Sequence, residues 1–297
     1  MSEDKKSYFN RDSVVSDDGN FSAEDTGENI INTENSLRPY ELSIHLPSSD
    51  PIVVLFGPPE VGKTVALLRL TAYLQKHGFA FPISNATPNE GSFQVAKQNF
   101  QEVMNRLDSG KPPRTREIDF LLLEARHRGK LNFHILEASG EHFFDRTEPQ
   151  KQTYPRYMSQ IFKAPTKKVY VIFFEENMFG SSDLRKFYAN RLSHLINAHV
   201  DIKRDKIIVL YNKINDNLHR FQSGKTALDE IYKEVFQHSD YIQFSNAIMA
   251  NGGKLKHVPL VPFYSGDFYE DAWSMSEDHY PQKLYDAINR SLRRRFF

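Results

Sequence analysis

Gly57-Pro58-Pro59-Glu60-Val61-Gly62-Lys63-Thr64 is the stretch on which the reading of this chain turns. It fits G-x-x-x-x-G-K-[ST], a loop whose backbone N–H groups close around a polyphosphate. Gly57 and Gly62 allow the tight path. The N–H groups of Glu60, Val61, Gly62, Lys63, Thr64 and Val65 would face the anion. Lys63 would reach the β- and γ-phosphates, and the Thr64 hydroxyl would ligate Mg²⁺. The flanks agree: residues 51–56 read as a buried strand, and residues 65–76 read as a helix whose N-terminus faces the loop. A second S-G-K-T at 223–226 lacks both features, because His219 stands where the first glycine belongs and no apolar strand precedes it. It reads as a helix start with Ser223 as N-cap.

The 297 residues carry a formal net charge of +0, unevenly spread. Residues 1–50 hold eleven acidic and four basic side chains, net −7, which leaves +7 on the remainder. A modestly basic body suits a polyphosphate ligand and does not point to nucleic acid. The chain has no cysteine, which excludes disulfides, zinc–thiolate sites and thiol chemistry. The N-terminus lacks the apolar core of a signal peptide, and no run of eighteen apolar residues offers a transmembrane segment. The expected compartment is the cytoplasm.

Residues 1–48 are acidic and polar, and read as a disordered leader that buries too little apolar surface to offset its ordering entropy. Residues 49–297 read as one domain. Expected strands lie at 51–56, 118–124, 131–137, 169–174, 206–211 and 257–264, with helices at 63–77, 182–199, within 224–250 and at 281–295. A helical insertion occupies about 78–114. The short link at 126–130 makes the second and third strands an antiparallel hairpin.

Four stretches come after the loop in a fixed order. Glu137-Ala138-Ser139-Gly140 ends the third strand; its carboxylate would hold Mg²⁺ through water, and Gly140 would let an N–H approach the γ-phosphate. Thr115 precedes the second strand on a loop and is placed to cap Mg²⁺ when the γ-phosphate is present, with Thr87 as the rival. Asn212-Lys213-Ile214-Asn215-Asp216 succeeds the fifth strand, where Lys213 would lie along a base. Ser265-Gly266 succeeds the last strand, where a backbone N–H would reach a purine O6.

Together these residues resemble the TRAFAC-class P-loop GTPases, over roughly residues 51–295. E-A-S-G stands where that class has D-x-x-G, and N-K-I-N where it has N-K-x-D. The long insertion ending in P-P-R-T looks most like the bacterial double-GTPase group. The resemblance implies a Ras-like α/β fold, three layers (α/β/α) around a mainly parallel six-stranded sheet whose second strand is antiparallel, with GTP or GDP and Mg²⁺ at the carboxyl ends of the strands. It also implies switch regions around Thr115 and Gly140–Phe144 through which a protein effector would bind. Two departures bear on chemistry. Glu137 replaces the Mg²⁺-side aspartate and is one methylene longer. Asn215 replaces the guanine-reading aspartate; an amide offers one acceptor where guanine N1–H and N2–H₂ want two, so it suits xanthine better unless Asp216 substitutes.

Phosphoryl transfer needs positioning and charge neutralisation, here by the loop amides, Lys63 and Mg²⁺. The residue after Gly140, which positions the attacking water in Ras-like proteins, is Glu141; His142 is the alternative. Arg114 or Arg116 is the candidate cis arginine. Phe143, Phe144, Tyr154 and Tyr157 either pack on the sheet or form a partner patch. The leading expectation is a GTP-hydrolysing switch. Its rivals are a catalytically weak nucleotide-binding scaffold and a P-loop ATPase.

Overall fold

Three runs rich in β-branched and aromatic residues form the centre of the molecule. They are β1 (Ile52–Phe56), β5 (Lys168–Glu175) and β6 (Lys206–Asn212). Their burial is continuous rather than alternating, as expected of parallel strands covered on both faces. The computed structural model describes residues 43–46, 49–84, 120–151, 153–176, 178–214, 225–268 and 273–293.

The other strands are β2 (Phe79–Ala80), β3 (Phe120–His127), β4 (Lys130–Ala138) and β7 (Leu260–Pro262). The sheet runs β2-β3-β4-β1-β5-β6-β7. β3 pairs antiparallel with β4, and β2 antiparallel with β3; β4, β1, β5, β6 and β7 are mutually parallel. The fold is therefore a mixed α/β one around a mostly parallel sheet. Among the described residues the sheet has seven strands, not the expected six. Phe79 and Ala80 leave the first helix and pair with His127 and Arg126, adding an edge too short for any sequence periodicity to reveal. A separate two-stranded ribbon joins β8 (Gly266–Phe268) to β9 (Trp273–Met275).

The helices are α1 (Lys63–Lys76), α2 (Arg156–Lys163), α3 (Ser182–His199), α4 (Lys225–Tyr232), α5 (Ile242–Ala250) and α6 (His279–Leu292). α1 is fastened to the start of α6 by the buried Arg69, which donates to the Ser276 carbonyl at 2.6 Å and to Asp278 at 2.7 Å. The expected helical stretch 224–250 is broken by a π-turn at Lys233–Gln237 and a 3₁₀ turn at Ser239–Tyr241, where Asp240 accepts from Ser182 and Arg185 of α3. Packing extends upstream of residue 49: Ile44 and Leu46 are buried, and the Ile44 N–H donates to Gln160 of α2 at 2.8 Å. Among the described residues no helix is long and apolar enough to cross a membrane.

The direction of the five parallel strands has one consequence for chemistry. The loops that leave β1, β4, β6 and β7 all emerge at the same edge of the sheet, where open α/β folds hold ligands.

Candidate functional site

Residues Gly57–Gly62 link β1 to α1. Gly62 is left-handed, φ 84°, and a Cβ there would overlap Asn212 Nδ2. At Gly57 a Cβ would come within 2.9 Å of Phe173 on β5. Both glycines are thus required by close approach. Glu60 is left-handed without being glycine, φ 65°, a strain of about 1–3 kcal/mol that persists only where neighbours hold it.

Lys63 opens α1 almost fully buried and donates to the Pro58 carbonyl at 3.0 Å, so its ammonium lies inside the curl of the loop. Burial draws its pKa from 10.5 down to about 8, against the opposing pull of the Glu137 and Glu141 carboxylates. Thr64 Oγ1 donates to Glu137 Oε1 at 3.0 Å, which joins the two residues expected to serve a metal. Gly140 presses on the loop from β4: a Cβ there would overlap the Pro59 nitrogen and the Pro58 carbonyl carbon.

The N-K pair grips the loop from β6. Asn212 Nδ2 donates to the Val61 carbonyl at 2.8 Å, while its Oδ1 is buried with no hydrogen-bond partner among the described residues. Lys213, also left-handed at φ 56°, donates to the Glu60 carbonyl at 2.7 Å and pairs with Glu175 at 2.7 Å. Val61 is buried, and Val65 lies in the first turn of α1.

The remaining candidates are spread more widely. Glu141 is exposed and accepts from the Ser139 hydroxyl. His142 is buried, with Nδ1 2.8 Å from the Tyr157 hydroxyl. Ser265 is buried, and its carbonyl accepts from Ser276 N–H and from Trp273 Nε1, each at 3.2 Å. Gly266 opens β8, so the expected base-closing loop starts the ribbon. Phe143, Phe144 and Tyr157 are buried and Tyr154 partly so: these rings pack on the body of the protein. Arg114, Thr115, Arg116, Thr87, Asn215, Asp216 and the insertion helix lie outside the described residues.

Three residues that sequence reasoning missed matter here. Arg146 Nη2 donates to the Pro59 carbonyl at 2.9 Å, and its Nη1 lies 3.1 Å from Glu60 Oε2. Glu175 holds Lys213 in place. Arg191 of α3 is buried and donates to the carbonyls of Phe143, Lys151 and Thr153 at 2.8–3.1 Å while stacking 3.5 Å over Tyr154. It fastens the segment after Gly140 to the body. Only Glu175, a carboxylate ending an apolar strand as Glu137 does, carried any signal in sequence.

No protein-family model matches the chain, and no curated protein matches it. Among solved structures, one described as nucleolar GTP-binding protein 1 from Plasmodium falciparum aligns at 11% identity over 74% of this chain and 80% of that one, with a TM-score of 0.32.

Proposed function

We propose that the protein is a Ras-like P-loop GTPase, three-layered, that binds GTP with Mg²⁺, hydrolyses it to GDP and phosphate, and works as a nucleotide-dependent switch. The observation that carries the reading is the pair of bonds from Asn212 and Lys213 to the Val61 and Glu60 carbonyls. They tie a candidate base-binding segment to a candidate phosphate-binding loop from across the sheet. An unspecific glycine turn has no need of that tie.

The residues fit the ligands. Asn212 Oδ1, without a hydrogen-bond partner among the described residues, is an acceptor for which a bound nucleotide would supply the donor. The loop amides and the Lys63 ammonium, at the N-terminus of α1, form an anion cradle. Thr64 and Glu137 are an oxygen pair suited to Mg²⁺, which takes its other ligands from phosphates and water and needs no dedicated protein cage. Mg²⁺ when bound would neutralise charge on the β- and γ-phosphate oxygens. Gly140 would yield its packing on Pro58 and Pro59 to a γ-phosphate, which makes it the sensor. Glu141 is the better candidate for orienting water: its charge is felt by Lys63, whereas the His142 ring is committed to Tyr157. Turnover of GTP by the purified protein and by Thr64→Ala tests the proposal; Mg²⁺-dependent hydrolysis lost in the variant supports it.

A weakly hydrolysing nucleotide-binding scaffold is the second reading. Arg191 favours it, because a segment held by three carbonyl bonds resists rearrangement.

A further inference from the structure

Arg146 stands at the rim of the candidate phosphate loop, bonded to Pro59 and Glu60. Its side chain is 37% exposed and that of Glu60 is 78% exposed, so water screens their pairing and the contact is easily exchanged. The guanidinium also rests on the Phe179 ring, 5.4 Å from its centroid, which limits where it can swing. The residue it touches most firmly, Pro59, is the same one that Gly140 presses on. Arg146 and Gly140 therefore both bear on Pro59, one at its carbonyl and the other at its nitrogen, in the loop that would hold the γ-phosphate under the function proposed above.

We propose that Arg146 is a catalytic residue: an arginine supplied in cis, which holds the Pro59 carbonyl and Glu60 as described above and would exchange them for the γ-phosphate of a triphosphate in the loop. The inference rests on the GTPase reading. A triphosphate offers the planar guanidinium fork several charged oxygens in place of one solvated carboxylate and one carbonyl. In the reaction the water oxygen bonds to the γ-phosphorus as the bond from phosphorus to the β,γ-bridging oxygen breaks. The electron pair leaves with GDP; one water proton stays on the inorganic phosphate and the other passes to solvent. Arg146 would neutralise charge on the transferring phosphoryl group and on the bridging oxygen. Glu60, whose carboxylate would otherwise repel the anion, serves as the holding partner before the nucleotide arrives.

The test uses the full chain, fluorescent GDP, and GDP with aluminium fluoride as a mimic of the transferring phosphoryl group. Arg146→Ala is expected to bind GDP within about threefold of the parent, to lose the aluminium fluoride signal, and to hydrolyse GTP about 10³-fold more slowly. Arg146→Lys should not restore either property, and millimolar guanidinium should partly restore Arg146→Ala. An aluminium fluoride signal and hydrolysis unchanged in Arg146→Ala would overturn the proposal. So would a loss of GDP affinity as large as the loss of rate, which would make the role structural. Failure of the parent protein to bind GDP at all would instead bring down the GTPase reading, and this assignment with it.

Discussion

Asn212 and Val61 are 151 residues apart in sequence, yet the Asn212 amide donates to the Val61 carbonyl at 2.8 Å. The same amide nitrogen leaves no room for a side chain at position 62. Asn212→Ala would remove the donor from a buried carbonyl and cost about 1–2 kcal/mol, close to tenfold in nucleotide affinity if the loop loosens accordingly. Titration of fluorescent GDP into the variant and the parent measures it.

Lys63 sets the pH dependence. Its folded pKa of about 8 lies below the ordinary 10.5, so between those values the unfolded chain holds more protons than the fold. Stability of the nucleotide-free protein from this group therefore rises with pH through that window. Phosphate binding acts in the opposite direction, because it needs the ammonium. Nucleotide affinity should be full below pH 8 and fall above it, with proton uptake on binding at about pH 8.5, inside the window that the lowered pKa opens. Calorimetry in two buffers of different ionisation enthalpy detects that uptake.

Gly140→Ala should separate diphosphate from triphosphate binding. The added methyl would overlap the backbone of Pro58 and Pro59, a misfit of roughly 1–3 kcal/mol that pushes the segment off the loop. Affinity for GDP should hold, and affinity for a non-hydrolysable GTP analogue should drop about tenfold or more. Equal affinities before and after would remove Gly140 from the sensing role.

Arg191→Met keeps the length of the stem but removes the donors to Phe143, Lys151 and Thr153. The expected loss is about 2–4 kcal/mol in stability. Hydrogen exchange should quicken over 143–153 before it does over the sheet strands.

Asn215→Asp should raise the preference for GTP over XTP, since a carboxylate supplies the second acceptor that guanine requires. Competition of the two nucleotides against one fluorescent probe reads the ratio directly.

The parts legible in sequence are those whose cause is local. Gly62, Lys63 and Thr64 lie within one short stretch at the start of a helix, as their motif and its flanks imply, and the apolar run Val169–Phe174 is of strand length and rich in β-branched and aromatic residues. α3 lies at Ser182–His199, where a helix is expected between the two strands that flank it. Contacts made across the fold are hidden. Arg191 and Arg146 find backbone carbonyls 38–48 and 87 residues away, and a carbonyl leaves no trace in sequence. Ser265 and Gly266 read as a loop, because a ribbon of three-residue strands depends on its partner, Trp273–Met275, and three residues are too few for an alternation to be read. The break near His238 depends on Asp240 being captured by Arg185 from another helix.

Mg²⁺-dependent binding of fluorescent GTP, ATP and XTP analogues to the purified chain, with Lys63→Ala beside it, tests the central claim most directly. The account predicts preference for GTP that disappears in the variant. Preference for ATP, or binding that survives Lys63→Ala unchanged, would contradict it.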